Sequence, residues 1–159
     1  MGIRYYAYPV DAKLIELAKT SPRAFLGSDP LADAWGPAEN RPPMLYLDKC
    51  WRDLQELFGR SDGTTARPAL ELVRGAVTPH PEGWEPFIRV LGPTEVAAVA
   101  ADISRVTEAD ASAMAASRPS RWGDSPADEL RYVLHYLADA QSFTAQLARE
   151  GRGLVYEIG

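Results

Sequence analysis

The chain has 159 residues, 46% of them hydrophobic and 25% charged, and a formal net charge of −5 at pH 7. This balance is typical of a folded globular protein and excludes a disordered chain, and the length predicts a single domain over residues 1–159. An acidic chain without runs of Lys and Arg among aromatic residues also argues against nucleic acid as a partner.

The sequence also limits where the protein works. No apolar run approaches the roughly 18 residues of a membrane-spanning helix, and the first residues lack the basic and apolar regions of a signal peptide. The one cysteine cannot form an internal disulfide. We therefore expect a cytoplasmic protein without a membrane partner.

The first third of the chain predicts a strand, two short helices and a loop. Residues 2–8 are rich in β-formers and predict a strand ending at Pro9. Asp11 is placed to cap a helix, and Ser21-Pro22 starts a shorter helical piece that Gly27 ends. Residues 27–43 contain several prolines and predict a long loop.

The segment LYLDKCW, residues 45–51, predicts a short apolar run that passes into a helix capped by Asp48. Helical spacing places Cys50 on the apolar stripe with Leu54 and Phe58. A cysteine in a first helical turn can also be a reactive thiolate. Neither histidine is near it in sequence, so packing is the favoured role for Cys50.

The remaining two thirds predict further strands and helices. Residues 69–73 and 87–91 are expected to be strands, preceded by turn-rich stretches at 60–68 and 78–86. Gly92-Pro93, Thr107 with Asp110, and Ser125-Pro126 each predict a helix start, and the last helix is expected to run to Glu150 and stop at Gly151. A final strand is predicted over residues 152–158.

The order of these elements predicts the fold class. Strands and helices do not alternate as in a parallel α/β protein. We therefore expect an α+β fold, a small and mainly antiparallel or mixed sheet with helices packed on one face.

The two histidines are candidates for chemistry. His135 falls on the polar side of the last helix, where Asp139 follows one turn later, and an exposed surface pair is the favoured interpretation. His80 lies between Pro79 and Pro81, which present it from a stiff loop as a binding residue or as an ordinary surface histidine. The spacing of Cys and His matches no zinc site, so we predict no metal and no cofactor.

Three tryptophans, Trp35, Trp84 and Trp122, each stand beside a glycine in a predicted loop. Such residues either anchor a partner, since they bury much area for few lost rotamers, or cover the edge of the core. This set is the candidate binding surface of the sequence.

Four segments together resemble a known family: MGIRYYAYPVDAKLIEL at the start, LYLDKCWRDLQELF at residues 45–58, RVLGPTEVAAVAADI at residues 89–103, and the closing helix with GLVYEI. The chain resembles the YfbM-like family of small bacterial proteins of unknown function. The resemblance implies a compact domain of helix and sheet in a bacterial cytoplasm. The family has no accepted activity and no catalytic residues that could be transferred to this chain. It adds Asp48 and Lys49 to the candidate binding residues.

Two hypotheses for the function follow. The first is a non-enzymatic binding protein whose acidic surface attracts a basic protein partner. The alternative is a small enzyme or ligand-binding protein that uses a carboxylate with His80 or His135 near the loop tryptophans. A pocket that joins a histidine to a carboxylate and a tryptophan would favour the alternative.

Overall fold

The fold is built around a four-stranded antiparallel sheet. The computed structural model describes residues 2–59, 67–120 and 123–159. The strands are β1 (Tyr5–Val10), β2 (Leu45–Asp48), and, after a hairpin of β3 (Thr78–His80) and β4 (Gly83–Glu85), β5 (Phe87–Leu91) and β6 (Gly153–Ile158). The sheet order is β2-β1-β6-β5, and each neighbouring pair is antiparallel. The predicted α+β class is confirmed.

The first strand runs through Pro9 instead of ending at it. Pro9 pairs with Leu154, whereas β2 ends its pairing at Ala7 opposite Leu45. The nitrogen of Pro9 is on the β2 side of β1, and at this position β2 no longer pairs with β1. No strand there requires a hydrogen bond from residue 9, so the missing N–H costs little.

The helices are short except for the last. Their bounds are α1 (Ile15–Thr20), α2 (Pro30–Trp35), α3 (Trp51–Phe58), α4 (Pro93–Ile103), α5 (Glu108–Ala116) and α6 (Pro126–Glu150). Short 3-10 turns occupy Ala12–Leu14, Pro22–Phe25, Ala38–Asn40 and Pro68–Leu72. No helix of the described residues is both long and apolar enough to cross a membrane.

Both faces of the sheet are covered, so the expectation of helices on one face is wrong. Tyr5 and Ala7 point into the larger core, which α3, α4, α5 and α6 complete. Tyr6 and Tyr8 point to the other face and pack with residues of α1, α2 and the turn at Pro22–Phe25. Alternate residues of β1 thus face two cores, and the second includes Leu31 and Ala34 from the segment predicted to be a long loop.

That segment, residues 27–43, contains more structure than its prolines suggest. Asp29 caps α2, because its Oδ1 accepts a hydrogen bond of 3.0 Å from the Ala32 N–H, and Pro30 occupies the first helical position. Trp35 is therefore the last residue of a helix and not part of a loop.

The strand predicted at residues 69–73 is wrong. Pro68–Leu72 forms a 3-10 turn that is held to α4 by Asp102. The Asp102 carboxylate accepts hydrogen bonds from Arg67 Nε at 2.9 Å and Nη2 at 3.0 Å, and from the Ala69 N–H at 2.9 Å. The contact with α4, which is distant in sequence, determines the conformation here and overrides the local β-propensity.

The turn-rich stretch 78–86 also differs from its prediction, because it forms the β3–β4 hairpin. Most of the predicted helix boundaries are confirmed. Thr107 and Asp110 form a capping box, and Ser125 caps α6 through the Asp128 N–H at 3.2 Å. Gly151 ends α6 at φ 64°, the left-handed region that glycine adopts without strain.

Two small residues are fixed by close packing. Cys50 is fully buried in the larger core, which confirms its predicted packing role. A Cβ on Gly153 would lie 2.4 Å from the Leu91 carbonyl oxygen and 2.4 Å from Ile15 Cδ1. The start of β6 therefore has no room for a side chain.

Candidate functional site

Asp48 is the turning point between β2 and α3. It is not the predicted N-cap, because α3 begins at Trp51 and Cys50 occupies the N-cap position. Asp48 has φ 47°, the one positive φ of a non-glycine residue in the described part of the chain. Aspartate tolerates this conformation better than most residues, and it lets the chain leave the sheet at once.

Three donors hold the Asp48 carboxylate. Arg4 Nε donates at 3.1 Å and the Tyr46 hydroxyl at 3.0 Å, both to Oδ1, and the Tyr132 hydroxyl donates to Oδ2 at 3.1 Å. Burial raises the pKa of Tyr132, and the Asp48 charge adds to that shift, so the phenol remains protonated as a donor. Asp48 thereby joins the residue before β1, strand β2 and helix α6.

Trp35 lies next to this group. Its side chain is 65% exposed, and the Arg4 guanidinium carbon lies 5.6 Å from its ring centroid. Its indole also lies beside the Tyr46 hydroxyl. Two candidate residues far apart in sequence, Trp35 and Asp48, thus share the same arginine.

A cleft of about 440 Å³ opens beside Asp48, between the start of α3 and the start of α6. The described residues that line it are five carboxylates, one lysine and one tyrosine: Asp48, Asp53, Asp124, Asp128, Glu129, Lys49 and Tyr132. A Cβ on Gly2 would lie 2.4 Å from Lys49 Cε, so the lysine stem runs along the N-terminal segment. Two of the candidate residues, Asp48 and Lys49, therefore line one acidic cleft.

Arg118 supplies a buried cation behind the cleft. Its Nη2 bonds Asp53 Oδ1 at 2.6 Å and Glu129 Oε1 at 3.1 Å, and its Nη1 contacts Glu56. The side chains of Arg118, Asp53 and Glu129 are only 8%, 6% and 6% exposed. This network fixes α3, α6 and the segment after α5 relative to one another.

Sequence analysis missed this buried network. One signal was available on each helix: Asp53 has helical spacing to Cys50 and Leu57, and Glu129 has it to Val133. An acid on a buried face requires a cation, because an unpaired buried charge is costly. The identity of the cation, 65 residues away from Asp53, is not in the local pattern.

The other candidates lie elsewhere. His80 and Trp84 both lie on the exposed β3–β4 hairpin, where Trp84 pairs with Pro79, and the His80 Nδ1 accepts a hydrogen bond from the Glu82 N–H. Asp48 and Phe87 are at opposite edges of the same end of the sheet, so the hairpin is about three strand spacings, roughly 14 Å, from the cleft. Trp122 lies outside the described residues.

Neither histidine lines the cleft. His135 is on the exposed side of α6, with Nε2 3.7 Å from Asp139 Oδ2, as the helical pattern predicts. Within the described residues, no group of three His, Cys, Asp or Glu side chains is placed to hold a metal ion. The geometry that would favour a carboxylate and histidine enzyme is not formed at this cleft.

The sheet, its two cores and the cleft define a small α+β domain with an acidic depression at one end of the sheet. The chain belongs to the family described as a domain of unknown function, DUF1877, whose model matches residues 1–156. It is similar in fold to the crystal structure of YfbM from Escherichia coli, a protein of unknown function, at 18% identity and a TM-score of 0.56. That likeness covers 99% of this chain and 100% of the YfbM chain. No curated protein matches the sequence.

Proposed function

We propose that this protein is a non-enzymatic binding domain whose acidic cleft receives cationic side chains of a basic protein partner. The observation that carries the proposal is the lining of the cleft, in which, among the described residues, five carboxylates accompany one lysine. A volume of about 440 Å³ is large enough for one or two extended Arg or Lys side chains. The cytoplasm is the compartment we propose for this interaction.

The carboxylates differ in what they can offer a ligand. Asp53 and Glu129 are already bound by Arg118, and Asp48 is bound by Arg4. Asp128 pairs with Arg131 at 2.9 Å, but this pair lies on the surface and the Asp128 side chain is 55% exposed. Asp124 is exposed at the rim of the cleft. We therefore assign the contact with an incoming cation to Asp124 and Asp128, with the held carboxylates supplying a fixed negative field.

Trp35 supports a protein partner over a small cation. A large exposed aromatic side chain, kept in place by Arg4 next to Asp48, is the kind of anchor that dominates protein interfaces. The negative net charge of the chain further speeds the approach of a basic partner, and this effect weakens as salt screens it.

The test is a titration of the ¹⁵N-labelled protein with a hexa-arginine peptide, followed by ¹H–¹⁵N correlation spectra at low and moderate salt. We expect saturable shifts in residues 124–132 and near Asp48, with weaker binding at moderate salt. The variant Asp124→Asn with Asp128→Asn should lose most of the affinity. The variant Glu16→Gln with Glu39→Gln makes the same charge change on exposed residues outside the cleft lining and should bind as the original protein does.

Shifts spread over all acidic surfaces, or equal losses in both double variants, would show that only net charge attracts the peptide. In that case the cleft is not the binding site. If the peptide binds the cleft with salt-dependent affinity, basic proteins of the host can be captured with the original protein and with the Asp124→Asn, Asp128→Asn variant. Those that the variant fails to capture are the candidate partners.

A further inference from the structure

A groove lies between the last turns of α6 and the chain segment that leads into β2. Two adjoining cavities, of about 570 and 300 Å³, share Arg41, Met44, Phe143 and Gln146 in their lining, so they form one continuous groove. The larger cavity falls within the range of about 300–1,000 Å³ that is usual for small-molecule sites.

The α6 wall of the larger cavity is one face of the helix. Phe143, Gln146, Leu147 and Glu150 follow the spacing i, i+3, i+4, i+7, so they lie above one another over about 10 Å. Leu147 is buried, Phe143 is of intermediate exposure, and Gln146 is exposed. This wall is therefore apolar at its base and polar at its rim.

The opposite wall is stiff. Pro42 and Pro43 stand between Arg41 and Met44, and Pro9 of β1 also lines the cavity. Each proline ring fixes one backbone dihedral, so this wall has little conformational freedom to lose when a ligand binds. A site that is already formed costs less to occupy than one that must be ordered first.

Arg41 is the charge of the larger cavity that is left to receive a ligand. Glu150 accepts hydrogen bonds from Gln146 Nε2 at 3.0 Å and from Arg152 Nη1 at 3.3 Å. Arg152 Nε also lies 3.1 Å from Asp11 Oδ1. The Arg41 side chain is exposed and makes no hydrogen bond or ion pair within the described residues. Of the two cations and one carboxylate that line this cavity, the pair of Arg152 and Glu150 is thus already formed.

The apolar surface of the groove is recessed, which favours a small ligand over a protein. Protein interfaces depend on large side chains that enter pockets of the partner. Within the described residues, none of the exposed large hydrophobic side chains lines the groove; they are Leu14, Leu17, Trp35 and Trp84. Recessed apolar walls with few polar groups are typical of a site that a small molecule enters.

We propose that this groove binds a small organic anion with an apolar body, of the class of aromatic carboxylates. The guanidinium of Arg41 receives the carboxylate, because its planar fork of N–H donors matches the two oxygens. The apolar body lies between Met44 and the ring of Phe143. Asp139 lines the smaller cavity and not the larger one, so the anion is placed in the larger cavity.

The first test uses naphthalene-2-carboxylate as the probe, added to the ¹⁵N-labelled full chain and followed by ¹H–¹⁵N correlation spectra. We expect saturable shifts confined to residues 41–44 and 139–152. The uncharged naphthalene-2-methanol, which has the same ring system, should bind roughly tenfold more weakly because it lacks the contact with Arg41.

Arg41→Gln should weaken the binding of the carboxylate roughly tenfold and leave the binding of the alcohol unchanged. Arg149→Gln is the matched control, because Arg149 is an exposed arginine of α6 that does not line the groove. It makes the same change of net charge and should leave both affinities as they are.

A second pair of variants tests the position of the ligand. Gln146 is exposed and lines both cavities, so Gln146→Trp fills the groove from its rim and should abolish binding. Ala138→Trp places the same ring on an exposed position of α6 outside the lining and should have no effect. Absence of binding up to the solubility of the probe, equal affinity for the acid and the alcohol, or equal effects of the paired variants overturns the proposal.

This groove is separate from the acidic cleft. Asp128, which lines the cleft, and Phe143, which lines the groove, are about 22 Å apart along α6. The variants of one site leave the lining of the other unchanged, so the two proposals can fail independently.

Discussion

Arg118 is the residue whose removal tests the buried charges behind the cleft most directly. Arg118→Met keeps most of the side-chain bulk and removes the charge, so Asp53 and Glu129, each 6% exposed, lose this cation. Removing one partner of a buried ion pair typically costs about 3–5 kcal/mol, because a desolvated charge is left behind. We expect the free energy of unfolding at pH 7 to fall by that amount.

The assay is urea unfolding followed by both tryptophan fluorescence and circular dichroism. Arg131→Met is the matched control, since Arg131 is 76% exposed and pairs with Asp128 at 2.9 Å on the surface. An exposed pair of this kind is worth about 0.2–1 kcal/mol. A third variant, Arg118→Met combined with Asp53→Asn and Glu129→Gln, should recover much of the loss because neither of the two buried side chains then carries a charge.

The reasoning would be refuted if Arg118→Met cost no more than Arg131→Met. It would also be refuted if neutralising Asp53 and Glu129 in the Arg118→Met background made the protein still less stable. Either outcome would mean that solvent reaches the carboxylates and that the network does not hold α3 to α6.

Three further predictions concern the fold. Hydrogen bonds from Arg67 hold the pKa of Asp102 below its usual range, so its contribution to stability is present above the unfolded carboxyl pKa of about 3.9 and is lost as pH falls through the lower folded value. Asp102→Asn should therefore cost about 1.5–3 kcal/mol at pH 7, a difference that shrinks in acid unfolding curves. Gly153→Ala should destabilise by about 1–3 kcal/mol in the same urea assay, because its Cβ would lie against a backbone carbonyl oxygen. Gly92→Ser is its control, since the Cβ meets ordinary contacts at 3.8 Å and a serine cap should be neutral or stabilise by a few tenths of a kcal/mol. The Cys50 thiol should react with Ellman's reagent only after urea unfolding, and fast labelling of the native protein would contradict its burial.

The parts of the fold that sequence analysis predicted are those fixed by residues close together in the chain. Thr107 caps α5 and Ser125 caps α6 through residues three positions on, and Gly151 stops α6 by its own backbone freedom. Such signals lie within one helical turn and do not depend on the tertiary structure.

The errors arose where a distant contact determined the local conformation. Residues 69–73 have the composition of a strand, but Asp102 accepts the Ala69 N–H and holds the segment as a 3-10 turn. Asp48 looked like a helix cap, but Arg4, Tyr46 and Tyr132 hold its carboxylate outside the helix. Of these partners only Tyr46 lies in the local segment, and Arg4, Tyr132 and Asp102 are distant in sequence.

The candidate site was predicted only in part for the same reason. Asp48 and Lys49 were candidates because of the LYLDKCW segment, and both line the cleft. The other side of the cleft comes from the start of α6, where Asp128 and Glu129 also fit the preference of a helix start for acidic residues. When a residue has both a local structural role and a role in a distant contact, the sequence around it reveals only the local role.

The pairing of β1 with β6 sets a condition on how the protein is made. Tyr5 pairs with Ile158 and Val10 with Gly153, so the two central strands come from opposite ends of the chain. During translation at about 5–20 residues per second, β1 leaves the ribosome roughly 8–30 s before its central neighbour exists. Until then β1 lacks the strand that pairs with it along its whole length, and the nascent chain is most exposed to aggregation in that interval.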